Sequence, residues 1–584
     1  MKRTRRNPCW HRVVVAVIAL CMTAWGATPA LAGRHGAEKK CAGKLEKTVA
    51  VQILSINDFH GQITEGRYVS GRPVGSAPVL AAYLKAAEAA FDGETFIVHA
   101  GDLVGASVPE SALLQDEPTI QFFNQLGNRF CTPRHRMNPQ CNLVGTVGNH
   151  EFDEGYAEML RLFYGGNHAD GPFLQDPWQG AAFSHVCTNV VFEDTDRPLL
   201  PPFVVKLVKN IPVAFIGAVL EDTASIVTAS GIAGLTFLDE AEAINRQVRR
   251  LKWWGVETIV VLLHQGGSQT SYDGSTDPDS DAVSGEVVDI VKALDSEVDV
   301  VISGHSHGFS NALIDTDDGG RILLTQAWSK GTAYGDTELV IDRKSGDVVE
   351  KFAQVVTTWA DAGPGLEPDA EAAALVEQAE NATAELTGQY IGEAATTISS
   401  TQSEAGEAAM GNLIADAQKS AMGTDVAFMN PGGIRADLDA GEVTWGELYT
   451  VQPFNNYLIK MELTGQQIRD LLNQQFTPYQ PYDRMLQIAG LTYTWDPNGT
   501  RHENWEANDL VSNVIVNGTP LELSATYTVT VNSFLAEGGD NFTVLAEGAN
   551  PEVGPIDLDA LIQFVQALDQ PFSYAIEGRI GTVE

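Results

Sequence analysis

Short apolar runs alternate with amphipathic stretches along the first 350 or so residues. The apolar runs are uninterrupted and rich in branched residues, which indicates strands buried on both faces of a sheet. These runs are Val49–Ile56, Thr95–Ala100, Asn142–Val147, Ile211–Val219, Thr258–Leu263 and Val298–Ser303. Helical periodicity over Ala77–Ala90 and Asp239–Trp254 lies between them. Strands and helices in alternation predict a layered α/β domain.

The pattern changes near residue 350. Antiparallel strands are predicted to close the first domain, at Ile322–Gln326, Thr337–Ile341 and Asp347–Val356. Loop residues then fill 361–369, and Ala370–Leu386 has the composition of a stable helix. Helices at Glu404–Met422 and Asp557–Leu568, with hairpin-like strands between them, predict a second domain of α+β type. The predicted organisation is a first domain at 45–356, a linker and connecting helix at 357–386, and a second domain at 387–584.

The N-terminal segment has the features of a cleaved signal peptide. Basic residues precede an apolar stretch at Val13–Leu20, and Ala30-Leu31-Ala32 offers small residues to signal peptidase. The stretch is shorter than the roughly 20 residues that span a bilayer. We therefore predict that residues 1–32 are removed and that the mature chain is secreted, or periplasmic, without a stable membrane anchor. Sec and Tat export both remain open.

Acidic residues dominate the composition. The chain has 76 acidic and 37 basic residues, which gives a net charge of −39 at pH 7. A surface of this sign repels polynucleotides and anionic membranes at long range. We therefore expect a small-molecule partner and no polynucleotide, while the oligomeric state stays open. An anionic substrate would have to be attracted by metal ions and a few local arginines.

Four of the six cysteines lie beyond the predicted signal peptide. An even number of cysteines in an exported chain predicts disulfides. We predict a Cys131–Cys141 disulfide across a loop rich in Pro and Arg. The remaining pair would then be Cys41–Cys187.

Polar residues with metal-binding side chains follow five of the predicted strands. The five segments are Asn57-Asp58-Phe59-His60, Gly101-Asp102, Gly148-Asn149-His150-Glu151-Phe152-Asp153, His264 and Gly304-His305-Ser306-His307. Sites in open α/β sheets form at the carboxyl ends of strands. Mixed nitrogen and oxygen donors suit Zn²⁺, Mn²⁺ or Fe better than Ca²⁺. Helix capping could explain one such residue, but it does not explain five successive segments.

These segments resemble the calcineurin-like metallophosphatase superfamily. Three later segments resemble the C-terminal domain of the 5′-nucleotidase family, which includes bacterial UDP-sugar hydrolases and ecto-5′-nucleotidases. They are Asn430-Pro-Gly-Gly-Ile-Arg435, Gln452-Pro-Phe-Asn-Asn456 and Asn532-Ser-Phe-Leu-Ala-Glu-Gly-Gly-Asp540. The resemblance implies a layered β-sandwich flanked by helices, followed by a C-terminal α+β substrate-binding domain. It covers nearly all of the predicted mature chain.

The resemblance also implies two divalent metal ions, with Zn, Mn, Fe or Co as candidates. The implied ligands of one ion are Asp58, His60, Asp102 and His307, and those of the other are Asp102, Asn149, His264 and His305. Asp102 would bridge the pair, which would clamp the phosphoryl group and supply the attacking water. The implied catalytic dyad is His150, which faces the phosphate, and Asp153, which orients it. His307 departs from several family members, which have Gln or Asn at this position.

The implied substrate contacts lie in the second domain. Backbone at Gly432 and Gly433 permits close approach, and Arg435 offers a planar fork to phosphate oxygens. Phe534 would stack on the base, and Asp540 would accept hydrogen bonds from sugar hydroxyls. Asn430 begins the first of these segments and is expected to line the same site. A second aromatic residue usually completes the base site, and Met485 occupies that position here, with Tyr482 as a possible substitute.

The leading functional hypothesis is a secreted enzyme that hydrolyses nucleoside 5′-monophosphates, with UDP-sugars and other nucleotides as further candidate substrates. The alternative is a 2′,3′-cyclic-nucleotide 2′-phosphodiesterase with 3′-nucleotidase activity. A catalytically inactive nucleotide-binding protein is a hypothesis of a different class. The complete set of ligand residues argues against inactivity.

Overall fold

A computed structural model describes residues 47–272, 274–477, 480, 482–502, 508 and 510–583. The predicted signal peptide and Cys41 lie outside these residues. The Cys131–Cys141 disulfide is confirmed. Cys187 is buried, with no disulfide partner among the described residues. Within that same part of the chain, no helix is both long and apolar enough to cross a membrane.

Two six-stranded sheets form the first domain. In spatial order, the first sheet contains Val348–Thr357, Ala333–Asp342, Thr48–Ile56, Glu94–His99, Leu143–Gly145 and Ser184–His185. The second contains Phe309–Asp315, Arg321–Ala327, Val300–Ser303, Thr258–His264, Ile211–Val219 and Phe203–Val208. Parallel pairing at the centre of each sheet brings the carboxyl ends of neighbouring strands to one edge.

A shared apolar core joins the two sheets face to face. Val51, Phe96, Phe215 and Leu262 are buried in it from strands of both sheets. Helices cover the outer faces, at Ala77–Ala90, Pro109–Ala112, Glu117–Leu126, Tyr156–Tyr164, Thr223–Ile226, Glu240–Trp253 and Glu286–Ala293. The predicted layered β-sandwich flanked by helices is therefore confirmed.

Local sequence explains where these helices begin and end. Pro78 occupies the first turn of Ala77–Ala90, a position where its missing N–H costs nothing. Asp239 caps the next long helix by accepting from the backbone of Glu242. The connecting helix, Ala370–Thr387, begins after Asp369 in the same way and packs on the first domain through Leu375 and Val376.

The second domain contains a five-stranded and a four-stranded sheet. The larger sheet has the order Gln487–Ala489, Val426–Met429, Thr526–Asn532, Tyr457–Thr464 and Ala549–Ile556. The smaller has the order Thr519–Pro520, Val511–Val516, Leu491–Trp495 and Ile580–Thr582. Helices lie at Ala409–Met422, Trp445–Val451, Gly465–Gln474, Ser533–Ala536 and Asp557–Ala567. Two-stranded pairs complete the described strands, at Arg67–Val69 with Arg72–Val74, Val190–Phe192 with Leu235–Phe237, Ser268–Gln269 with Val283–Ser284, and Tyr390–Ala394 with Gly441–Thr444.

One predicted helix boundary is wrong. The helix expected from Glu404 begins at Ala409, after Ala408 in extended conformation. Gly406 has a φ of +96°, which lies outside helical backbone space. The segment before the helix is a turn that packs against Met485, and this tertiary contact overrides the local helical composition.

Candidate metal and phosphate site

The predicted ligand residues come together at the carboxyl edge of both sheets. Five of them adopt left-handed backbone conformations, with φ between 46° and 70°: Asp58, His60, Asp102, His305 and His307. Such conformations are uncommon outside glycine and cost about 1–3 kcal/mol each. These residues offer their side-chain atoms to one another at this edge.

Glycines before two of the ligands allow the loops to approach each other. A Cβ on Gly148 would lie 2.2 Å from Asp102 Oδ1, and one on Gly101 would lie 2.5 Å from the backbone nitrogen of Gly148. Contacts this short do not occur in folded proteins. The glycines in the Gly-Asp and Gly-Asn-His segments are therefore a packing requirement of the site.

Backbone carbonyls orient two of the histidines. His60 Nδ1 lies 2.8 Å from the carbonyl oxygen of Gly105, and His264 Nδ1 lies 2.8 Å from that of Ala100. In each ring the Nε2 atom is left to face the cluster. This arrangement is typical of metal-binding histidines, whose other ring nitrogen donates to a carbonyl or carboxylate.

The inward-facing atoms form overlapping groups of three, one of which is His60, Asp102 and His150. Asp58, His60 and His307 offer ligand atoms within 4.8 Å of one another, and Asp102, His264 and His305 do the same. Asp102 Oδ2 lies 3.1 Å from His264 Nε2 and 3.8 Å from His60 Nε2, so it faces both groups.

Asn149 joins the second group. Its Oδ1 atom lies 3.0 Å from His305 Nδ1 and 3.3 Å from His264 Nε2. The seven predicted ligand residues thus converge as two sets that share Asp102. Their roles as ligands remain a prediction.

The histidines of the cluster differ in charge: burial would lower the pKa of His264, but Asp102 and Asp58 raise it to about 9. Burial lowers the pKa of His60 and of His307 well below its usual value, which keeps these imidazoles neutral and able to donate a lone pair. Their Nε2 atoms lie 3.0 Å apart, so both rings present a nitrogen to the same place. Borderline nitrogen donors combined with carboxylate oxygens suit Zn²⁺, Mn²⁺, Fe or Co. The residues present therefore fit a two-metal site.

His150 and Asp153 form the expected dyad beside the cluster. Asp153 Oδ2 lies 2.7 Å from His150 Nδ1, which leaves Nε2 free to face a substrate. Burial alone would lower the pKa of His150, but the carboxylates of Asp153 and Asp102 and the Asp153 hydrogen bond raise it above its ordinary value. His150 can therefore carry a positive charge next to a phosphate.

The second domain faces this cluster across a cleft of about 740 Å³. Four of the predicted ligand residues line the cleft: Asp102, Asn149, His305 and His307. Six predicted substrate residues line it as well: Asn430, Gly432, Gly433, Arg435, Phe534 and Asp540. A Cβ on Gly432 would meet no atom closer than 3.7 Å, so this glycine leaves its backbone open to the cleft. Phe534 is partly buried, and its ring covers Gly539.

Asp540 is the centre of a buried polar network. Its two carboxylate oxygens accept from Asn430 Nδ2 and Arg484 Nη1, both at 2.9 Å. Asn532 Nδ2 in turn donates to Asn430 Oδ1 at 3.0 Å. The network fixes the Asp540 carboxylate at the cleft wall, with lone pairs remaining for a substrate hydroxyl.

Met485 was predicted to contact the substrate, but it does not line the cleft, so this prediction is wrong. Met485 is 3% exposed and belongs to the apolar core of the second domain, because its side chain packs into the turn at Gly406. Tyr482 is 53% exposed and lines the cleft, with the Arg484 guanidinium 5.3 Å from its ring centre. Tyr482 therefore occupies the place that the sequence prediction gave first to Met485.

Three residues at the site were not among the predicted site residues. Phe454 lines the cleft and stacks on His150. Its segment was recognised as similar to the family pattern, but the residue itself was not selected. Arg484 belongs to the site because it forms an ion pair with Asp540. Glu151 accepts from the backbone N–H groups of Asp102, Leu103 and Gly148, and so holds two ligand loops together. Its place between two predicted site residues was the available clue.

Comparisons with known proteins match both parts of the chain to known families. The calcineurin-like phosphoesterase family model matches residues 51–309, and that of the 5′-nucleotidase C-terminal domain matches residues 384–547. The endonuclease YhcR of Bacillus subtilis is 37% identical over 548 residues, which cover 92% of this chain and 41% of that protein. The cell wall protein Lmo0130 of Listeria monocytogenes is 34% identical over 556 residues, which cover 89% of this chain and 67% of that protein.

A solved structure is similar over both domains. The 5′-nucleotidase precursor from Thermus thermophilus superposes with a TM-score of 0.74 at 27% identity, covering 91% of this chain and 99% of that one. The present chain therefore spans nearly all of this neighbour, but less than half the length of the Bacillus relative.

Proposed function

The chain belongs to the 5′-nucleotidase family of calcineurin-like metallophosphoesterases, and from this premise we propose that it hydrolyses nucleoside 5′-monophosphates to nucleoside and phosphate. The observation that carries the proposal is the composition of one cleft. Four of the seven predicted ligand residues, the His150–Asp153 pair, Arg435 and the aromatic rings of Phe534 and Tyr482 all line it. A phosphate and a nucleoside base would each find a matching surface.

Arg435 and His150 would interact with the phosphate in different ways. Arg435 would bind phosphate oxygens through its planar guanidinium, opposite the ligand cluster. His150, protonated and oriented by Asp153, would donate a hydrogen bond to the phosphoryl group and stabilise the charge that develops on the leaving oxygen. Two divalent metal ions, when bound by the seven ligand residues, would supply Lewis acidity and an activated water.

The nucleoside would lie against the second domain. Phe534 and Tyr482 offer aromatic faces for stacking on the base, which is sequence-tolerant because every base has a π-face. The Asp540 carboxylate, fixed by Asn430 and Arg484, would accept from ribose hydroxyls. These contacts reach the nucleoside only if the phosphate is at the metal pair, so the two domains would together select a nucleotide.

We also propose the domain boundaries and the export of the chain. The match to the first family model ends at residue 309, but the strands Ala333–Asp342 and Val348–Thr357 complete the first sheet, which supports a boundary near 356. The second boundary, near 387, agrees with the start of the second family match at 384. Similarity to a cell wall protein supports removal of residues 1–32 and a location outside the cytoplasm.

A substrate panel tests the assignment, with products separated by chromatography because cleavage of a phosphodiester releases no inorganic phosphate. AMP, 3′-AMP, 2′,3′-cyclic AMP, UDP-glucose and a short single-stranded oligonucleotide are compared on the metal-loaded protein, with a chelator-treated sample as the control. We expect the highest kcat/KM for AMP and loss of turnover after chelation. A preference for 2′,3′-cyclic AMP would establish the cyclic phosphodiesterase alternative instead.

Two other outcomes would contradict the proposal. Preferential cleavage of the oligonucleotide would point to the activity named for the Bacillus relative, and would show that the acidic net charge does not exclude polynucleotides. Two bound metals without turnover on any member of the panel would indicate a nucleotide-binding protein.

A further inference from the structure

The helix Glu240–Trp253 exposes a basic stripe that ends in a tryptophan. Arg246, Arg249, Arg250 and Trp253 are three or four residues apart, so they share one face of the helix, and all four are exposed. The apolar face of the same helix packs on the second sheet. Trp253 is 83% exposed, more than any other large hydrophobic residue that the structure describes. Core packing therefore does not explain this tryptophan.

The charges of the stripe are not balanced by neighbouring carboxylates. Segment 246–254 has four basic residues and no acidic one, in a chain of net charge −39. In the described part of the chain, the ion pairs of this segment involve only Lys252, and none joins an arginine of the stripe to a carboxylate. The helix dipole favours cations in the last turn, which accounts for Arg250 and Lys252 but not for the two arginines before them.

Two further aromatic rings hold one arginine of the stripe in place. The Arg250 guanidinium lies 4.6 Å from the centre of the Trp254 ring and 5.5 Å from that of Phe203. The two rings meet edge to face, with their centres 5.6 Å apart. A guanidinium that stacks on rings in this way keeps its N–H groups available for an anion. Part of the basic surface is therefore preorganised.

The stripe lies on the outward face of the helix, and its tryptophan end is remote from the cleft. None of its four residues lines the cleft. The helix begins near the cleft, because Glu240 accepts from the backbone of Glu221, next to the cleft residue Leu220. It ends shortly before the strand Thr258–His264 begins, at the opposite edge of the sheet. Single-stranded nucleic acid is usually bound along a basic groove with several stacking rings, whereas one outward helix face suits a flat anionic surface.

We propose that Arg246, Arg249, Arg250 and Trp253 bind reversibly to a bilayer that contains anionic phospholipid. The arginines offer planar forks to lipid phosphates, and tryptophan prefers the interfacial region of a bilayer. The net negative charge of the chain does not prevent this contact, because charges more than about 8 Å away are largely screened at physiological ionic strength. A protein bound through the tryptophan end would keep its cleft open to solutes. The contact is independent of the substrate that the cleft accepts.

Binding to vesicles of defined composition tests the contact. Co-sedimentation of the metal-loaded protein gives its partition coefficient on vesicles of phosphatidylglycerol and phosphatidylcholine in equal parts, and on phosphatidylcholine alone. We expect binding to the anionic vesicles only. Arg246→Gln and Arg249→Gln should each lower the coefficient about fivefold, from roughly 1 kcal/mol per basic residue at an anionic surface. Arg197→Gln, which removes an exposed arginine outside the helix, is the matched control.

Trp253→Gln should also lower the coefficient, because its ring enters the interfacial region. The urea midpoint and the metal content of all variants should equal those of the wild type, since the changed residues are exposed. Equal binding to both kinds of vesicle, no binding to either, or losses no larger than that of Arg197→Gln would overturn the proposal. A fluorescent single-stranded oligonucleotide is titrated in parallel. Loss of oligonucleotide binding in the stripe variants, with unchanged vesicle binding, would assign the surface to nucleic acid instead.

Discussion

Phe454 lies face to face with His150, with ring planes 15° apart and ring centres separated by 5.8 Å. The two residues belong to different domains. The Arg435 guanidinium is also 5.8 Å from the centre of the Phe454 ring. Phe454 thus contacts both the proposed acid and the proposed phosphate-binding arginine, and it connects the second domain to the chemistry of the first.

Replacing Phe454 should therefore affect turnover more than metal binding. We expect Phe454→Ala to lower kcat for AMP by about 2- to 12-fold, from the roughly 0.5–1.5 kcal/mol of an aromatic pair. Phe454→Tyr keeps the ring and should retain most of the activity. Steady-state kinetics and metal analysis of both variants check this. Loss of metal in Phe454→Ala would show that the ring supports the ligand cluster instead.

His150→Ala should keep both metals and slow turnover by about 10²- to 10⁴-fold, the usual range for an acid or base group. The reason is that His150 faces the phosphate site while its Nδ1 is bonded to Asp153. Asp153→Asn should give a smaller loss, because the ring remains but its charge is less stabilised. Metal content and kcat are measured together. A His150→Ala protein with fewer than two metals would identify His150 as a ligand.

Asp102→Asn should abolish activity and lower the metal content, because one carboxylate faces both ligand groups. Asp102 Oδ1 also accepts from the backbone of His150, so the loop geometry depends on the same side chain. Plasma emission analysis of the purified variant gives the metal content directly. Two bound metals with near-normal turnover would contradict the dinuclear assignment.

Phe534→Ala should raise KM for AMP by about 5- to 150-fold, from the roughly 1–3 kcal/mol of lost stacking. It should have little effect on p-nitrophenyl phosphate, which has no base and would be bound mainly at the metal pair. Tyr482→Ala serves as a comparison, since Tyr482 lines the same cleft. Equal losses on both substrates in the Phe534 variant would mean that this ring supports the fold rather than the base.

The ligand cluster could be predicted because it follows from a simple rule of sheet geometry. Parallel strands place their carboxyl ends at one edge, so Asp58 and Asp102 converge in the first sheet even though they are far apart in sequence. His264 ends a strand of the second sheet, and the packing of the two sheets brings it within 3.1 Å of Asp102. The alternation of apolar runs and amphipathic stretches predicted the central strands of both sheets and two of the helices that flank them, at Ala77–Ala90 and Glu240–Trp253. The left-handed backbone at the ligands could not be read in the same way, because it is imposed by contacts between loops.

Contacts between the domains could not be predicted from the pattern of apolar and polar residues. The stacking of Phe454 on His150 depends on how two separately folded units meet, and no periodicity in either unit encodes it. Met485 and Tyr482 show the same limit at short range. Both are apolar or aromatic and three residues apart, and only the packing of the turn at Gly406 decides which of them is buried.

Lys206 gives a prediction about stability rather than catalysis. Its side chain is fully buried on the edge strand Phe203–Val208, and Nζ donates to the carbonyl oxygen of Asn138 at 3.1 Å. Burial lowers the pKa of Lys206 from 10.5 to about 7. Below pH 7 the amine is charged in both the folded and the unfolded chain. The free energy of unfolding is then lowered by the full cost of burying the charge.

Between pH 7 and 10.5 the unfolded chain binds more protons at this position than the folded chain does, so the stability of the wild type rises with pH across this window.

Lys206→Met removes the buried amine and with it this dependence. At pH 7 we expect the variant to be more stable by on the order of 3 kcal/mol, after about 1 kcal/mol for the lost hydrogen bond. The advantage should shrink as the pH approaches 10. Urea unfolding at pH 7 and pH 9.5, with the exposed Lys209→Met as the control, measures the difference. A variant that is less stable than the wild type at both pH values would show that the Asn138 contact outweighs the cost of the buried charge.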